Sequence, residues 1–517
     1  MKLNYKRTIL VGFAFFLISA FWQAYDATIP VILTNKFGMS QTWSGVIMAL
    51  DNILAVFMLP LFGALSDKCA TRFGKRTPFI TIGTIVAAIA ILCLSFVDNA
   101  QLQNISAVSA IDDPAALETI YDAQSDAKLL TPEGDTVVLR DTFSKEEFAA
   151  IRCKITDPAS GKTITNPDYT NYVAPARQAY AAARTAENTT PLILFICLLL
   201  VLLVAMATFR SPAVALMPDV TMKPLRSKAN AIINLMGTGG GILVLVLGMV
   251  FSTSAVQNAM MSYTVYYAII AAIMLGALTI FLCTVREPKW AAEMAADSVK
   301  YGIEENAAAS SEHRSLSASE KKSLICILLS IALWYFGYNA VTSKYAVYAG
   351  NILDKDYNTT MLLAQAAAIV AYLPAGTIAS KIGRKKTILA GVVMLTTAFG
   401  CAAFMRASSP TLVMNILFAL AGVAWATINV NSFPMVVEMC SGADIGKYTG
   451  FYYTASMTAQ IVTPMLSGFL MDKMGMTVLF PYAAIFVALA FVTMFMVRHG
   501  DAKVTAKKGL EAFADED

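Results

Sequence analysis

The chain has 517 residues, of which 57% are hydrophobic and 14% are charged. Too few side chains are polar to cover a water-soluble protein of this size, so the composition excludes a soluble globular protein and indicates a membrane protein. The net charge of +4 gives no sign of nucleic-acid binding, because the basic excess lies in short loops between apolar stretches.

Apolar stretches of about twenty residues recur along the chain, and each could cross about 30 Å of hydrocarbon as a helix. They lie at residues 8–33, 43–65, 79–97, 191–217, 229–250, 263–285, 323–342, 359–379, 387–405, 411–433, 450–471 and 477–497. Six precede a polar middle segment and six follow it. The sequence therefore predicts an all-α membrane protein with twelve transmembrane helices in two six-helix halves, residues 1–285 and 323–499. The first stretch contains Asp26 and is longer than a signal-peptide core, so we expect it to be retained.

Lysine and arginine concentrate in alternate loops, which predicts cytoplasmic N- and C-termini. We expect the protein to lie in the plasma or inner cell membrane. The two histidines, His313 and His499, lie in cytoplasmic polar segments on this topology, so we expect no histidine proton relay and no metal site in the membrane. Of the eight cysteines, only Cys153 lies in the long outer segment, so no disulfide framework is expected there. We predict no cofactor, and carboxylates must carry any proton.

Three polar segments separate or follow the apolar stretches. Residues 98–190, between the third and fourth stretches, are predicted to be an extracytoplasmic insertion, either an outer domain or a long flexible loop. A lid or a partner-binding surface is one role for it, although a solvated insertion without such a role is favoured. Residues 286–322 are interpreted as a cytoplasmic linker with a short helix near residues 290–294, and residues 500–517 as a disordered tail.

Three ionisable residues lie within the apolar stretches: Asp26, Asp51 and Arg210. A charge at the bilayer centre costs about 2.5–3.5 kcal/mol on insertion scales, so such residues are usually functional or paired. Counting about 1.5 Å per residue from the outer helix ends places both aspartates about 10–12 Å deep. Two charges at one level would repel each other, so at least one aspartate would hold a proton. We predict that the aspartates bind the coupling proton or the substrate, with Na⁺ as an alternative ion and a hydrogen bond to neighbouring hydroxyls as the structural alternative.

Arg210 lies about 10 Å below the level of the aspartates on the same count. This difference in height predicts a polar substrate that bridges the groups rather than a direct ion pair. The alternative is an arginine whose side chain extends to the inner membrane interface.

Aromatic and amide side chains interrupt the same stretches. A sugar has apolar ring faces and a belt of hydroxyls, so a site for it needs flat aromatic rings beside amides or carboxylates. Most of these aromatics are individually expected to be packing or interface residues, and the cluster from Trp22 to Asp26 is the strongest signal. The candidate substrate-binding residues are Trp22, Gln23, Tyr25, Asn52, Asn234, Trp334, Tyr338, Asn339, Gln365, Trp425 and Tyr453.

A cationic loop signature occurs twice, each time after the second apolar stretch of a half. The first copy contains Gly63, Asp67, Arg72, Lys75 and Arg76, and the second contains Gly376, Gly383 and Arg384, with Ser380 where the acid of the first copy stands. Ordinary charge at the inner membrane face would explain the basic residues, but not an acid that follows a glycine in the first copy. The glycines are expected to let helices pack closely.

This duplicated signature resembles the loop motif of the major facilitator superfamily of membrane transporters. The resemblance implies alternating access, and in that superfamily the acid at the position of Asp67 pairs with basic residues and a neighbouring helix end to hold the outward-open state. The segment from Pro60 to Ile80 is similar to the loop of the sucrose/proton symporters and their sugar-transporting relatives.

Two further segments carry the resemblance to the symporters. Residues 210–219 resemble their fourth-helix segment, in which a required arginine stands where this chain has Val214; Arg210 lies one turn away on the same face. By the same resemblance, Asp219 and Arg226 would form the matching inner gate. Residues 49–52 resemble the wider group of glycoside-cation symporters, whose helix-2 acids contact cation and sugar, which implies that role for Asp51.

The sequence thus predicts a monomeric, proton-coupled symporter for a disaccharide or related glycoside. A polyspecific efflux antiporter shares the loop signature, although the amides and aromatics disfavour its more apolar cavity. A non-transporting sensor that uses the outer insertion is the alternative from another class. An enzyme is least favoured, because the sequence contains no nucleophile and base set, metal-ligand spacing or phosphate loop.

Overall fold

The computed structural model of the protein describes residues 3–156, 161, 163–222, 225–300, 316–437, 439 and 445–500. In chain order its helices are α1 (Tyr5–Asn35), α2 (Gln41–Lys68), α3 (Thr77–Asn104), α4 (Pro114–Gln124), α5 (Leu139–Thr142), α6 (Lys145–Ala150), α7 (Ala174–Glu187), α8 (Thr190–Val220), α9 (Arg226–Phe251), α10 (Thr264–Thr284), α11 (Glu287–Lys300), α12 (Ala318–Tyr348), α13 (Tyr357–Ile382), α14 (Arg384–Ala402), α15 (Thr411–Val437), α16 (Ile445–Met474) and α17 (Leu479–Phe495). The strands are β1 (Lys128–Leu130), β2 (Thr136–Val138), β3 (Lys154–Thr156) and β4 (Thr163–Thr165).

Ten helices in the described part of the chain are long and apolar enough to cross a membrane. They are α1, α2, α3, α8, α9, α10, α12, α14, α15 and α17. The long helices α13 and α16 have 26 and 30 residues but are not among these ten, so the number of twelve transmembrane helices stays a prediction.

The long helices form two groups, each around a hydrophobic core. In the first group α1 packs against α9 and α10, and α3 packs against α8 and α10; in the second, α12 packs against α16 and α17, and α14 against α15 and α17. The groups meet where α2 crosses α16, α9 meets α13 and α1 meets α12. A Cβ atom on Gly468 of α16 would lie 2.2 Å from the carbonyl oxygen of Gln41, so glycine permits this close crossing.

The two ends of the bundle carry different segments. The residues between α3 and α8 lie at one end, which we call the insert end, and the α2–α3 and α13–α14 loops lie at the other, which we call the loop end. The described residues of the insertion are folded: α4 to α7 and the antiparallel hairpins β1–β2 and β3–β4 surround a hydrophobic cluster that includes Leu117, Phe148 and Tyr169. This packing favours a small domain over a flexible loop.

Helix α3 continues to Asn104, beyond residue 98, where the insertion was predicted to begin. Asp98 is fully buried in that extension, and the Nζ of Lys36 donates to both of its carboxylate oxygens at 2.7 Å and to the carbonyl oxygen of Met261 at 2.7 Å. The apolar pattern stops at this acid, but the buried ion pair compensates its charge and the helix goes on. The segment that connects α3 to α8 therefore consists of residues 105–189, and its place outside the cell stays a prediction.

The middle segment contains α11, longer than the short helix expected near residues 290–294. Its Trp290 is buried against the first group of helices. Residues 301–315 of the predicted linker and residues 501–517 of the predicted tail lie outside the described residues.

Candidate functional site

A cavity of about 450 Å³ lies between the two groups of helices. Its walls come from α1, α8 and α9 on one side and from α12, α13, α14 and α15 on the other. The predicted residues that line it are Trp22, Gln23, Asp26, Arg210, Asn234, Tyr338, Gln365 and Trp425. Residues that are far apart in the sequence therefore meet at one site that both halves build.

α1 and α8 place the charged groups of this cavity. Trp22 and Asp26 lie one turn apart on α1, so their side chains share a face of the helix. The guanidinium carbon of Arg210 lies 5.7 Å from the centre of the Trp22 ring, within the range of a cation–π contact. The cavity thus combines a partly buried carboxylate, a guanidinium and an aromatic ring.

Asp51 and Asn52 on α2 are not among the described residues that line the cavity. The side-chain amide of Asn52 donates a 2.8 Å hydrogen bond to Asp51 Oδ1. The charge of Asp51 is close enough to repel that of Asp26 and to attract that of Arg210. Asp26, Asp51 and Arg210 therefore interact electrostatically, although they were predicted to differ in height.

A chain of hydrogen bonds joins the two halves beside the cavity. The Nε2 of Gln365 on α13 donates to Oε1 of Gln23 on α1 at 2.7 Å, and Nε2 of Gln23 donates to the hydroxyl of Tyr357 at 3.2 Å. Gln23 is buried, so its amide is held with both of its polar atoms bonded to the second half. A solute that displaced Gln365 would break a bond that connects the halves.

The second half contributes a flat aromatic wall. The rings of Tyr338 and Trp425 are stacked, with centroids 3.6 Å apart and planes 6° from parallel, and Tyr335 meets Trp425 edge-on at 5.2 Å. Such a surface can cover the apolar face of a ring-shaped solute.

Besides Asn52, four predicted substrate-binding residues are not among the described residues that line the cavity: Tyr25, Trp334, Asn339 and Tyr453. Tyr25 and Trp334 are buried in the helix packing, and the ring of Tyr453 lies 5.5 Å from that of Tyr452. These residues were predicted from the type of their side chains, but the face of the helix on which each one lies decides whether it reaches the cavity.

Sequence reasoning missed several polar residues of the lining, among them Ser19, Thr342 and Tyr372. Helical periodicity could have found them, because Tyr372 lies two turns from Gln365 and Thr342 one turn from Tyr338, on the same faces. Serine and threonine within an apolar stretch do not by themselves indicate a binding site, because their hydroxyl groups can bond to the backbone of their own helix.

The first loop signature forms an ionic cluster at the loop end. The Nε of Arg76 donates to Asp219 Oδ2 at 2.7 Å, and its other nitrogens bond Asp67 and Ser66. Burial opposes the charge of Arg76, yet the hydrogen bonds and charges of Asp219 and Asp67 raise its pKa. Arg226 donates to the carbonyl oxygens of Pro218 at 3.0 Å and Thr221 at 3.1 Å, so it caps the end of α8.

Glu287 completes this cluster and was not predicted. Its carboxylate accepts hydrogen bonds from the backbone nitrogens of Lys75 at 2.6 Å, Arg76 at 2.9 Å and Thr77 at 2.8 Å, at the start of α3. Gly74 has φ +116° and lies so close to Glu287 that a Cβ atom would clash with the carboxylate. No motif pointed to Glu287, because it follows the sixth stretch and reaches the loop only through the fold.

The other residues of the first signature lie around this cluster. A Cβ atom on Gly63 would lie 2.9 Å from the Ser211 hydroxyl, which indicates close approach of α2 and α8. Arg72 is exposed and lies 4.6 Å from the ring of Phe73.

The second copy of the signature makes different contacts. Gly376 lies within α13, and Gly383, with φ +95°, connects α13 to α14. Arg384 is buried, and the Nζ of Lys385 donates to the carbonyl oxygens of Phe495 at 2.8 Å and Val497 at 2.5 Å. The side chain of Ser380 lies outside the described residues. This copy therefore ties α14 to the end of α17.

Two family models match separate parts of the chain. Residues 10–107 match the model described as MFS/sugar transport protein, and residues 324–514 match the model of the Major Facilitator Superfamily. The first match contains the Trp22 to Asp26 cluster and the first loop signature, and the second match contains the second signature.

Among the individual proteins to which the chain is similar are a short sequence match and two structures that match over the whole fold. A sucrose transport protein of Arabidopsis thaliana is 30% identical over 74 residues, which is 14% of this chain and only 14% of that relative. The inward-open structure of a xylose transporter from E. coli has a TM-score of 0.58 at 15% identity, with 99% of both chains covered. A nucleoside transporter has a TM-score of 0.55 at 14% identity, covering 95% of this chain and 100% of the other. At these identities the two structures show the fold alone.

Proposed function

The chain belongs to the major facilitator superfamily, and on that premise we propose that it is a secondary active transporter that moves a sugar or glycoside together with a proton. The superfamily consists of membrane transporters, so the chain is not an enzyme. We further propose that it works as a monomer, in the plasma or inner cell membrane, with both termini in the cytoplasm and the insertion outside.

The observation that carries this proposal is the cavity of about 450 Å³ that both halves line. A solute held there contacts α1 and α8 on one side and α13 and α15 on the other, so rocking of the halves would expose it at either end in turn. Since Gln23 and Gln365 bond to each other across the halves, solute binding and the closing of the halves use the same groups.

The chemistry of the lining supports a solute that contains a sugar ring. The stacked Tyr338 and Trp425 offer a flat apolar face, and the amides of Asn234 and Gln365 offer donors and acceptors for hydroxyl groups. The similar proteins are named for sucrose, xylose and nucleosides, and all three solutes contain a sugar ring. A disaccharide or related glycoside is our choice within this class.

The carboxylates support coupling to a proton. Asp26 and Asp51 repel each other when both are charged, and protonation of one removes that repulsion. In the proposed cycle the proton binds with the solute from outside, the halves rock, and both leave inside. Na⁺ is the alternative coupling ion, because carboxylate oxygens also bind it.

Flux measurements on the purified full chain in vesicles test this function. Labelled sucrose, xylose and uridine are supplied with no gradient, with a pH gradient and with a Na⁺ gradient. We expect uptake of at least one sugar above that of protein-free vesicles, raised by the pH gradient and lost in Trp425→Ala. The matched control is Trp43→Ala, because Trp43 is 62% exposed and is not a lining residue. Uptake equal to that of empty vesicles for all three solutes would refute the proposal, and a response to Na⁺ alone would replace the proton.

A further inference from the structure

A second polar cavity of about 380 Å³ lies at the insert end, apart from the central one. Three parts of the molecule build it: the insertion through β1 and α7, the first half through the α1–α2 turn, and the second half through residues 351 and 471–476. None of the residues that line the central cavity takes part.

Contacts between these parts hold the walls in place. The backbone nitrogen of Met476 donates to the carbonyl oxygen of Pro132 at 2.7 Å, at a point where Gly134 and Gly475 both have positive φ and leave no room for a Cβ atom. The side chain of Gln178 donates to the carbonyl oxygen of Met39 at 3.0 Å. The cavity therefore exists only while the insertion is docked on both halves.

The lining is rich in side-chain amides. Asn35, Gln41, Gln178 and Asn351 each present a donor and an acceptor group in one side chain. Asp472 also lines the cavity, but its carboxylate accepts from the backbone nitrogens of Gln41 and Thr42 at 2.7 Å each. Its charge is thus used within the protein. The cation of the lining, Lys128, is exposed at the rim, whereas the four amides are partly or fully buried and can meet a ligand inside the cavity.

Gln41 supplies an independent sign of a missing partner. It is 4% exposed, and neither Oε1 nor Nε2 has a hydrogen-bond partner among the described residues. Buried amides are normally bonded, because an unpaired one loses its bonds to water and gains nothing in return. Asn351 is similar, since its Nδ2 contacts the sulfur of Met476, a weak acceptor, at 3.7 Å.

We propose that this cavity is a second binding site for a neutral polyhydroxylated solute, and that an occupant holds the insert end closed. Buried and partly buried amides suit hydroxyl groups better than an ion, and the volume suits a small sugar. Because the walls come from both halves, a ligand binds the closed insert end and not the open one, so it shifts the population toward the closed state. The inference rests on the proposed function only for the choice of sugars as probes.

Protection of an introduced cysteine tests this site without any transport measurement. Lys128→Cys places a thiol at the exposed rim of the cavity, and its reaction with a maleimide is followed by peptide mass spectrometry on the purified full chain. Saturating sucrose or xylose should slow the reaction several-fold. Glu146→Cys, an exposed position of the same insertion outside the lining, is the control and should react equally fast with and without sugar.

Two further substitutions show whether the protection of the introduced cysteine comes from a sugar bound in this cavity. Gln41→Met keeps the length of the side chain but removes its amide, and Asn351→Ala removes a second one; in both, protection at position 128 should disappear. Trp425→Ala, in the central cavity, should leave the protection unchanged. The second site would be overturned if neither sugar protected position 128. It would also be overturned if the protection survived Gln41→Met and Asn351→Ala but was lost in Trp425→Ala. Protection in a protein that shows no flux would instead reject the proposed transport and keep the second site.

Discussion

The insert end and the loop end of the bundle are held by different kinds of contact. At the insert end, bonds connect the halves: Lys344 Nζ donates to the carbonyl oxygen of Gln41 at 2.5 Å, and Ser254 donates to Asp356 at 2.5 Å. At the loop end, the cluster of Arg76 with Asp67 and Asp219 lies within the first half. Alternating access requires one end to separate while the other closes. If the halves rock as proposed, the bonds at the insert end must break when that end opens, whereas the ionic cluster lies within one half and can persist.

The two copies of the loop signature show the same division on a smaller scale. In the first, an arginine and two acids bind the ends of α2, α3 and α8 together. In the second, Lys385 caps backbone carbonyl groups at the end of α17. Both copies of the motif therefore contain glycines, but their charged groups stabilise the two halves by different contacts.

The largest effect is expected where the helices cross most closely at the insert end. A Cβ atom on Gly468 would lie 2.2 Å from the carbonyl oxygen of Gln41, so Gly468→Leu should keep α2 and α16 apart. Overpacking costs about 1–3 kcal/mol, and about 1.4 kcal/mol already shifts an equilibrium about tenfold. We expect uptake to fall by roughly that factor or more, measured as initial flux in vesicles.

Gly450→Leu on the same helix is the matched control for that variant, because a Cβ atom there meets nothing within 4 Å. Wild-type uptake in Gly468→Leu, with monodisperse protein in both variants, would show that the insert end does not need this close crossing.

A smaller effect is expected from breaking the ionic cluster at the loop end. Arg76→Ala leaves Asp67 and Asp219 without this partner, and the loss should lower the free energy of unfolding by about 1–2 kcal/mol, because both acids are partly exposed and solvent screens the pairs. Thermal unfolding of the purified protein measures it. Arg72→Ala in the same loop is exposed and should change the melting temperature little. Equal melting temperatures for the two variants would contradict the structural role of the cluster.

A modest effect is expected at the second contact between the insertion and the second half. The backbone nitrogen of Thr165 donates to Asp354 at 3.0 Å, and Lys154 lies 3.7 Å from the same carboxylate. Asp354→Asn should weaken this contact by about 1 kcal/mol and speed amide hydrogen exchange in β3 and β4 several-fold. Asp126→Asn, whose exposed pair with Arg140 lies within the insertion, is the control. Unchanged exchange in Asp354→Asn would mean that the insertion does not depend on this contact.

The smallest effect concerns Cys153, which reports whether the insertion stays folded. Burial, with a further contribution from the charge of Asp112, raises the pKa of the Cys153 thiol to about 11. The thiolate that reacts with maleimides is therefore nearly absent at pH 8 and forms only as the pH approaches 11. We expect Cys153 to react much more slowly at pH 8 than an exposed thiol introduced by Glu146→Cys. Equal rates would indicate that the insertion is open in solution.

Apolar stretches predicted the helices well, because length and composition are local properties of the chain. The end of α3 was missed, since the charge of Asp98 is compensated by Lys36, the residue that follows α1. Trp22 and Asp26 lie at the cavity because residues one turn apart share a face. The bond between Gln23 and Gln365 and the contacts of Glu287 could not be predicted, because they join residues that only the folded chain brings together.

The most direct test of the central claim is solute accumulation driven by a pH gradient in vesicles that contain the wild type, Asp51→Asn or Asp26→Asn. The solute is whichever labelled sugar the wild type transports. Accumulation above the equilibrium level in the wild type, and its loss in both variants while exchange of labelled for unlabelled sugar persists in Asp51→Asn, is the result that the account predicts. Accumulation at the wild-type level in both variants would contradict it, because the carboxylates would then have no part in coupling.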